Sequence, residues 1–228
     1  MRDLRRAGER RRRQGLALHY VMTALGGYVG FYTVALFFHN FPLAQTGYFL
    51  SAVHDFCSGD GLALALRFLS LVLYVGGMAL ALILQPSRPY RARWICLAAL
   101  ALALVLVPLL QQWRVPALLA LAPLVFSFSM QFICFTGTER FYASSTFCTN
   151  NLKQLTIALV AVCYFGDRSQ LPRLAFYASC ILDYVLAALI SAGLLRLFTY
   201  WSLPLALPLL ALAAFLLRRE RTLEEGGS

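Results

Sequence analysis

Asp183 and Lys153 are the residues of this chain that fit their surroundings least. Asp183 stands about ten residues into the apolar run Leu174–Leu195, which at about 1.5 Å per helical residue is near its middle. Lys153 is the only lysine among 20 basic residues, and it sits in "SSTFCTNNLKQL" (144–155), a polar island between apolar segments. An aspartate at mid-membrane costs about 2.5–3.5 kcal/mol on insertion scales, so it must face inward and find a partner. Lys153 is the expected partner. A Lys153–Asp183 pair would change charge state with a bound ion, proton or solute. The plainer alternatives are a static ion pair or a lysine that snorkels to the interface.

Thr149, Asn150 and Asn151 head the same segment, and Gln45 and Thr46 head a matching one, "AQTGYFL" (44–50). Hydroxyls and amides at a helix start can cap free N–H groups. With the helix dipole they can also bind an anionic or polar ligand. If the two starts meet, these residues with Gln131 would line one mid-membrane cavity. His39, His54, Asp55 and Cys57 invite a metal reading, but no spacing puts three of them on one face. No G-x-S-x-G, H-E-x-x-H or P-loop is present, so an enzyme is not expected, nor is a cofactor or metal.

The elements that must position these residues follow from composition. The chain is 60% hydrophobic and 13% charged, with mean hydropathy +0.69. A soluble domain carries about 25% charged residues. Apolar runs at Leu16–Phe38, Leu62–Leu84, Trp94–Leu110, Ala117–Phe135, Leu174–Leu195 and Trp201–Leu217 have the length for spanning helices. The fold class is therefore all-α, a polytopic membrane protein. The first run is too long for a signal-peptide core and reads as a retained helix. Stretches 42–57 and 146–166 are short or polar-headed, giving six spans with two half-helices, or eight spans if both cross.

Loop charge favours six. That topology keeps Arg88, Arg91, Arg93, Arg140, Arg168 and Arg173 on the side of the arginine-rich tail "MRDLRRAGERRRR". Residues 1–15 then form a basic cytoplasmic tail, 16–112 and 113–217 two membrane repeats, and 218–228 a second cytoplasmic tail. The closing "LEEGGS" reads as a cloning scar and carries no argument about the fold. The net charge of +10 concentrates in tails and loops, which speaks for orientation and not for nucleic acid. Membrane lipids are the expected surroundings. The six cysteines lack CxxC spacing and read as free buried thiols.

The halves correspond. Thr46 pairs with Thr149, "LYVGGMALAL" (73–82) with "DYVLAALISA" (183–192), and "VPLL" (107–110) with "LPLL" (207–210). Three crossings per half would make the repeats inverted, as in many secondary transporters. Gly26 and Gly30, like Gly76 and Gly77, predict close helix contacts. Trp94, Trp113 and Trp201 stand at segment ends, as interfacial anchors do.

The paired elements "FPLAQTGYFL" and "SSTFCTNNLKQL", with "GGYVGFYTVALFF" and "FSFSMQFICFTG", carry a resemblance over roughly residues 16 to 217. In them the chain resembles the YoaK-like family of small bacterial inner-membrane proteins, a domain-of-unknown-function family with a T-G-N-like element in each half. Three positions depart: Gly30 replaces an acid many members carry, Tyr48 stands for Asn, and Asn150 for Gly. The resemblance implies a multi-pass inner-membrane protein and hands over no mechanism. The residues themselves point to a transporter for a small polar or ionic solute, with a homodimer plausible for so few spans. The other reading is a scaffold or sensor whose polar groups hold helices together and whose arginine tail engages anionic lipid.

Overall fold

The computed structural model describes residues 2–37, 44–138 and 140–225. Among them the elements are helical throughout: α1 (Arg2–Leu36), α2 (Gln45–Ser58), α3 (Gly61–Leu84), α4 (Pro89–Gln112), α5 (Ala117–Ala120), α6 (Ala122–Cys134), α7 (Cys148–Cys163), α8 (Leu171–Phe198) and α9 (Leu207–Glu225). Short 3-10 turns at Arg168–Gln170 and Thr199–Ala206 lead into α8 and α9. Among the described residues three stretches are long and apolar enough to cross a membrane, Gly61–Leu84, Pro89–Gln112 and Arg168–Thr222, while Ala122–Cys134 is a shorter apolar helix.

The arginine-rich start is itself helical, and α1 runs unbroken from Arg2 through it. Arg, Leu, Ala and Glu are good helix formers and no proline interrupts them. The ambiguous stretches 42–57 and 146–166 hold helices of 14 and 16 residues. At about 1.5 Å per residue these reach about 21 and 24 Å, short of a hydrocarbon core of about 30 Å.

The arginine-bearing start of α1 shares one end of the molecule with the end of α3, the starts of α4 and α8, and the end of α9. At the far end the Tyr32 hydroxyl lies within hydrogen-bond distance of two acceptors for its one proton, the Gln111 side-chain oxygen of α4 and the Tyr200 carbonyl (2.9 Å), and Tyr28 donates to the Ser202 carbonyl (2.7 Å). Trp94 lies at the arginine end under the Arg218 guanidinium, and the half-exposed Trp113 and Trp201 lie at the far end.

Packing follows a paired scheme. α1 lies against α8 as α6 lies against α3; α1 meets α9 as α6 meets α4; α2 lies on α3 as α7 lies on α8. Exchanging α1 to α4 for α5–α6, α7, α8 and the Thr199–α9 stretch maps these contacts onto themselves. The main core is built by α1, α4, α6, α9 and the turn before α9, with Met22, Leu25, Tyr32, Leu100, Leu104, Leu124 and Phe128 buried. The outward faces of α2, α3, α7 and α8 are covered with exposed Phe, Leu, Ile and Val, which water would not tolerate over so large a patch. Of the six free cysteines only Cys96, Cys134 and Cys180 are buried; Cys57 and Cys163 lie exposed on those outward faces, contrary to the expectation of buried thiols throughout.

Each short helix is tied to its long neighbour by one polar contact. On α7–α8 Arg173 donates to Gln154. On α2–α3 Arg67 donates through Nε to Asp55, with its guanidinium over the buried Tyr48 ring and His54 at 3.6 Å from the same carboxyl. The Arg67 hydrogen bond holds Asp55, in the last turn of α2, below the usual carboxylate range, against an opposing desolvation. A carboxyl depressed on folding adds stability above its unfolded pKa of about 3.9, and that stability is lost as pH falls through the folded value. Asp55→Asn should therefore melt about 2–4 °C below the parent at pH 7, and the gap should close as the pH is lowered below about 4. A gap that is constant from pH 7 to pH 3 would contradict this.

Candidate functional site

The chain reverses sharply after α6. Gly137 adopts φ +85°, and a Cβ there would stand 2.2 Å from the Phe141 carbonyl oxygen, so glycine is required. The Thr138 N–H donates to the Phe141 carbonyl and the Phe141 N–H to the Thr138 hydroxyl, closing the turn. The return then runs along α8, where the Tyr177 hydroxyl donates to the Tyr142 carbonyl (2.7 Å).

At Ser144 the return is clamped. Asn151 is buried, accepts from the Ser144 N–H (3.1 Å) and donates to the Ser144 carbonyl (2.8 Å). The Ser144 hydroxyl in turn accepts from the N–H groups of Thr146 and Phe147. Gln131, fully buried on α6, donates to the Met22 carbonyl of α1 (2.9 Å) and to the Ser145 hydroxyl (3.3 Å). These two amides fix where α7 begins.

α7 begins beside the start of α2. Residues 44–46 of one helix start and 146–149 of the other, with Tyr184, line a cavity of about 470 Å³. Tyr184 is at the midpoint of α8. From that level α2 runs to the start of α3 at the far end, and α7 runs to the start of α8 at the arginine end. Neither N-cap residue, Ala44 or Phe147, makes a side-chain cap bond. Two helix starts thus turn first-turn N–H groups and positive dipole ends toward one cavity.

The expected site residues separate into groups. Gln45, Thr46 and Thr149 line this cavity. Asn151 and Gln131 do not line it; they hold its wall, because their amides are bonded to Ser144, Ser145 and Met22. Asn150 faces a different space of about 600 Å³ with Arg140, Gln154, Arg173 and Tyr177. The structure therefore does not join Thr46, Gln131, Asn150 and Asp183 in one cavity. Helical rotation of about 100° per residue sends Asn150 and Asn151 to different faces.

The expected Lys153–Asp183 ion pair is also absent among the described residues. Lys153 is exposed on the outer face of α7. Asp183 is half-buried on α8 within electrostatic reach of Tyr20 and Cys180, and its buried Oδ2 has no hydrogen-bond partner among the described residues. It precedes the cavity-lining Tyr184 by one residue. The metal reading gains nothing: Asp55 is taken up by Arg67, no group of three ligating side chains occurs among the described residues, and His39 lies outside them.

Tyr184, Thr146 and Ser144 were not singled out as site residues by sequence. The signal for Tyr184 was present in its match to Tyr74, and for Ser144 in its place seven residues before Asn151. The sequence profile of a family described as "Protein of unknown function (DUF1275)" matches residues 18–216. The chain belongs to this DUF1275 family. The match runs through α1 to α9, so it takes in both helix starts, the clamp and Asp183. No curated protein matches the chain, and no solved structure does.

Proposed function

We propose that this DUF1275 member is a YoaK-like transporter of the bacterial inner membrane, carrying a small polar or ionic solute. The observation behind the proposal is the cavity into which α2 and α7 both turn uncapped starts. Six spans (α1, α3, α4, α5–α6, α8, α9) and two re-entrant half-helices then form an inverted repeat, with both termini cytoplasmic. The exchange symmetry of the helix contacts supports that arrangement. Opposed half-helix starts at mid-height suit a solute bearing negative charge or hydrogen-bond acceptors. A homodimer would cover part of the exposed apolar faces of α3 and α8.

Unpaired buried polar atoms also favour transport over a purely structural role. A scaffold has no use for Asp183 Oδ2, Gln131 Oε1 and the Ser191 hydroxyl, which have no hydrogen-bond partner among the described residues and each cost about 1–3 kcal/mol of desolvation. The scaffold reading draws its support from Gln131 and Asn151, whose bonds go to backbone and neighbouring hydroxyl groups.

The test is thermal melting of the purified protein against a panel of ions and small metabolites, followed by flux of any hit into proteoliposomes. A ligand at about 100 times its Kd should stabilise the parent by about 2.7 kcal/mol. Thr46→Val with Thr149→Val removes two cavity hydroxyls without changing shape, and should weaken that ligand about tenfold or more. A hit that binds the double variant equally, or is never carried across the bilayer, defeats the proposal.

A further inference from the structure

A groove of about 560 Å³ opens at the arginine end between α1, the return after α6 and the start of α8. Along α1 its wall runs from Glu9 to Tyr20, which is about 16 Å at about 1.5 Å per residue. That is close to the depth of one leaflet of a hydrocarbon core of about 30 Å. The groove changes character over this length. Arg12, Arg13 and Arg140 stand at its mouth, and Leu16, Ala175 and Phe176 line it further in.

The apolar part is preformed. Phe176 is stacked on Phe141 (5.2 Å between centroids) and on His19 (5.7 Å), and the Tyr20 ring leans on it at 6.2 Å. The Arg140 guanidinium lies over the Phe141 ring at 5.1 Å, which joins the basic mouth to the aromatic floor. Ala175 and Ser179 are exposed where α8 borders the groove, so it is open along the side of the helices. An occupant can therefore enter from the bilayer.

The mouth is cationic even when every nearby acid is counted against it. Glu9 is the one acid in the wall, against three arginines. Residues 1–13 together hold seven arginines against Asp3 and Glu9, and adding Arg140 with its neighbour Glu139 makes eight against three. Guanidinium groups match phosphate oxygens in paired, charge-assisted hydrogen bonds. The Thr138 hydroxyl accepts from the Phe141 N–H and can still donate into the groove. A zwitterionic lipid would bring no net charge to this mouth, and a free anion would leave the apolar half of the groove uncovered. Basic pockets between membrane helices suit anionic headgroups for the same reason.

We infer that the groove between α1 and α8 is a binding site for one anionic glycerophospholipid. Its phosphodiester accepts from Arg12, Arg13 and Arg140, and one acyl chain lies along Leu16, Tyr20 and Phe176. The inference needs only that the helices sit in a bilayer, and it stands whether or not the protein transports.

The experiment titrates the full chain, stripped of lipid in detergent, with dioleoyl phosphatidylglycerol or dioleoyl phosphatidylcholine and counts bound lipid by native mass spectrometry. The expected result is one saturable phosphatidylglycerol per protomer, with phosphatidylcholine weaker by about tenfold or more. Arg140→Gln should weaken phosphatidylglycerol about fivefold, and Arg12→Gln with Arg13→Gln about 25-fold. Arg91→Gln removes the same charge from an exposed position at the start of α4, outside the groove, and should stay within about twofold of the parent. Ala175→Trp fills the apolar half at unchanged charge and should abolish the saturable binding. Thr46→Val, in the mid-height cavity, should leave it intact, which separates this site from the proposed solute site. Equal binding of the two lipids, or groove variants no weaker than Arg91→Gln, overturns the inference. So does displacement of the lipid by glycerol 1-phosphate, which has the charge without the chains and would make the occupant a soluble anion.

Discussion

Replacing Gly27 by alanine should cost about 3 kcal/mol or more, a fall in melting temperature of roughly 6–12 °C. A Cβ on Gly27 would stand 2.1 Å from the Tyr184 carbonyl oxygen and 2.9 Å from its carbon. Both are backbone atoms of α8, so no side chain can swing away, and α1 and α8 must separate. The neighbouring Gly26 is equally tight against the Ser145 carbonyl oxygen, at 2.2 Å. Separating these elements moves Tyr184 and Ser145 together, and with them the wall of the mid-height cavity. The internal control is α3. A Cβ on Gly77 would meet the Ser129 hydroxyl at 2.1 Å and the Phe126 carbonyl oxygen at 2.5 Å, while one on Gly76 meets nothing within 4 Å. Gly76→Ala should be neutral or gain up to about 1 kcal/mol of helix propensity. Melting curves of the Gly27, Gly77 and Gly76 alanine variants in one detergent decide the matter. A Gly27 variant melting within a degree of the Gly76 variant would mean the close approach is not there.

Asn151→Ala should be the next most damaging change, by about 2–5 kcal/mol. It strips partners from the buried N–H and carbonyl of Ser144, each worth about 1–3 kcal/mol when left unsatisfied. Asn151→Asp does not rescue it. The carboxylate can still accept from the Ser144 N–H, but it sets an acceptor against the Ser144 carbonyl where the amide donated. Asn150→Ala, one residue away and only partly buried, should stay within about 0.5 kcal/mol of the parent. Proteolysis at 138–147 offers an independent readout, because releasing Ser144 frees the return segment from α7. Equal melting temperatures for the Asn150 and Asn151 variants would show that the clamp does not hold the segment.

That contrast also marks how far the sequence could be read. "TNNLK" announces a polar helix start in apolar surroundings, and its match to "QTGYF" announces a second one. Hydropathy sufficed for the all-helical class, since it is summed along the chain, but it left six or eight spans open, and the 14 and 16 residues of α2 and α7 came only with the structure. The tight glycine contacts were legible as a pattern, but small-xxx-small spacing pointed to Gly26 and Gly30, and the structure adds Gly27, which faces α8.

Which polar residue faces which space was not legible. Asn150 and Asn151 are chemically identical, and only the rotation of α7 against the return from Gly137 assigns one to a cavity and the other to a clamp. Opposite charges on different helices suggested a Lys153–Asp183 pair, yet charge fixes no direction, and the packing of α7 on α8 turns Lys153 outward. His19 carried no sequence signal at all, because its burial against Phe176, with no hydrogen-bond partner among the described residues, exists only once the chain is folded. What the sequence by itself determined was the helical, apolar class and two polar helix starts, properties that depend on neighbours along the chain. Only the tertiary structure decided that those starts share one cavity and that Asp183 Oδ2 and the His19 ring have no hydrogen-bond partner among the described residues, because these depend on helix rotation and long-range packing.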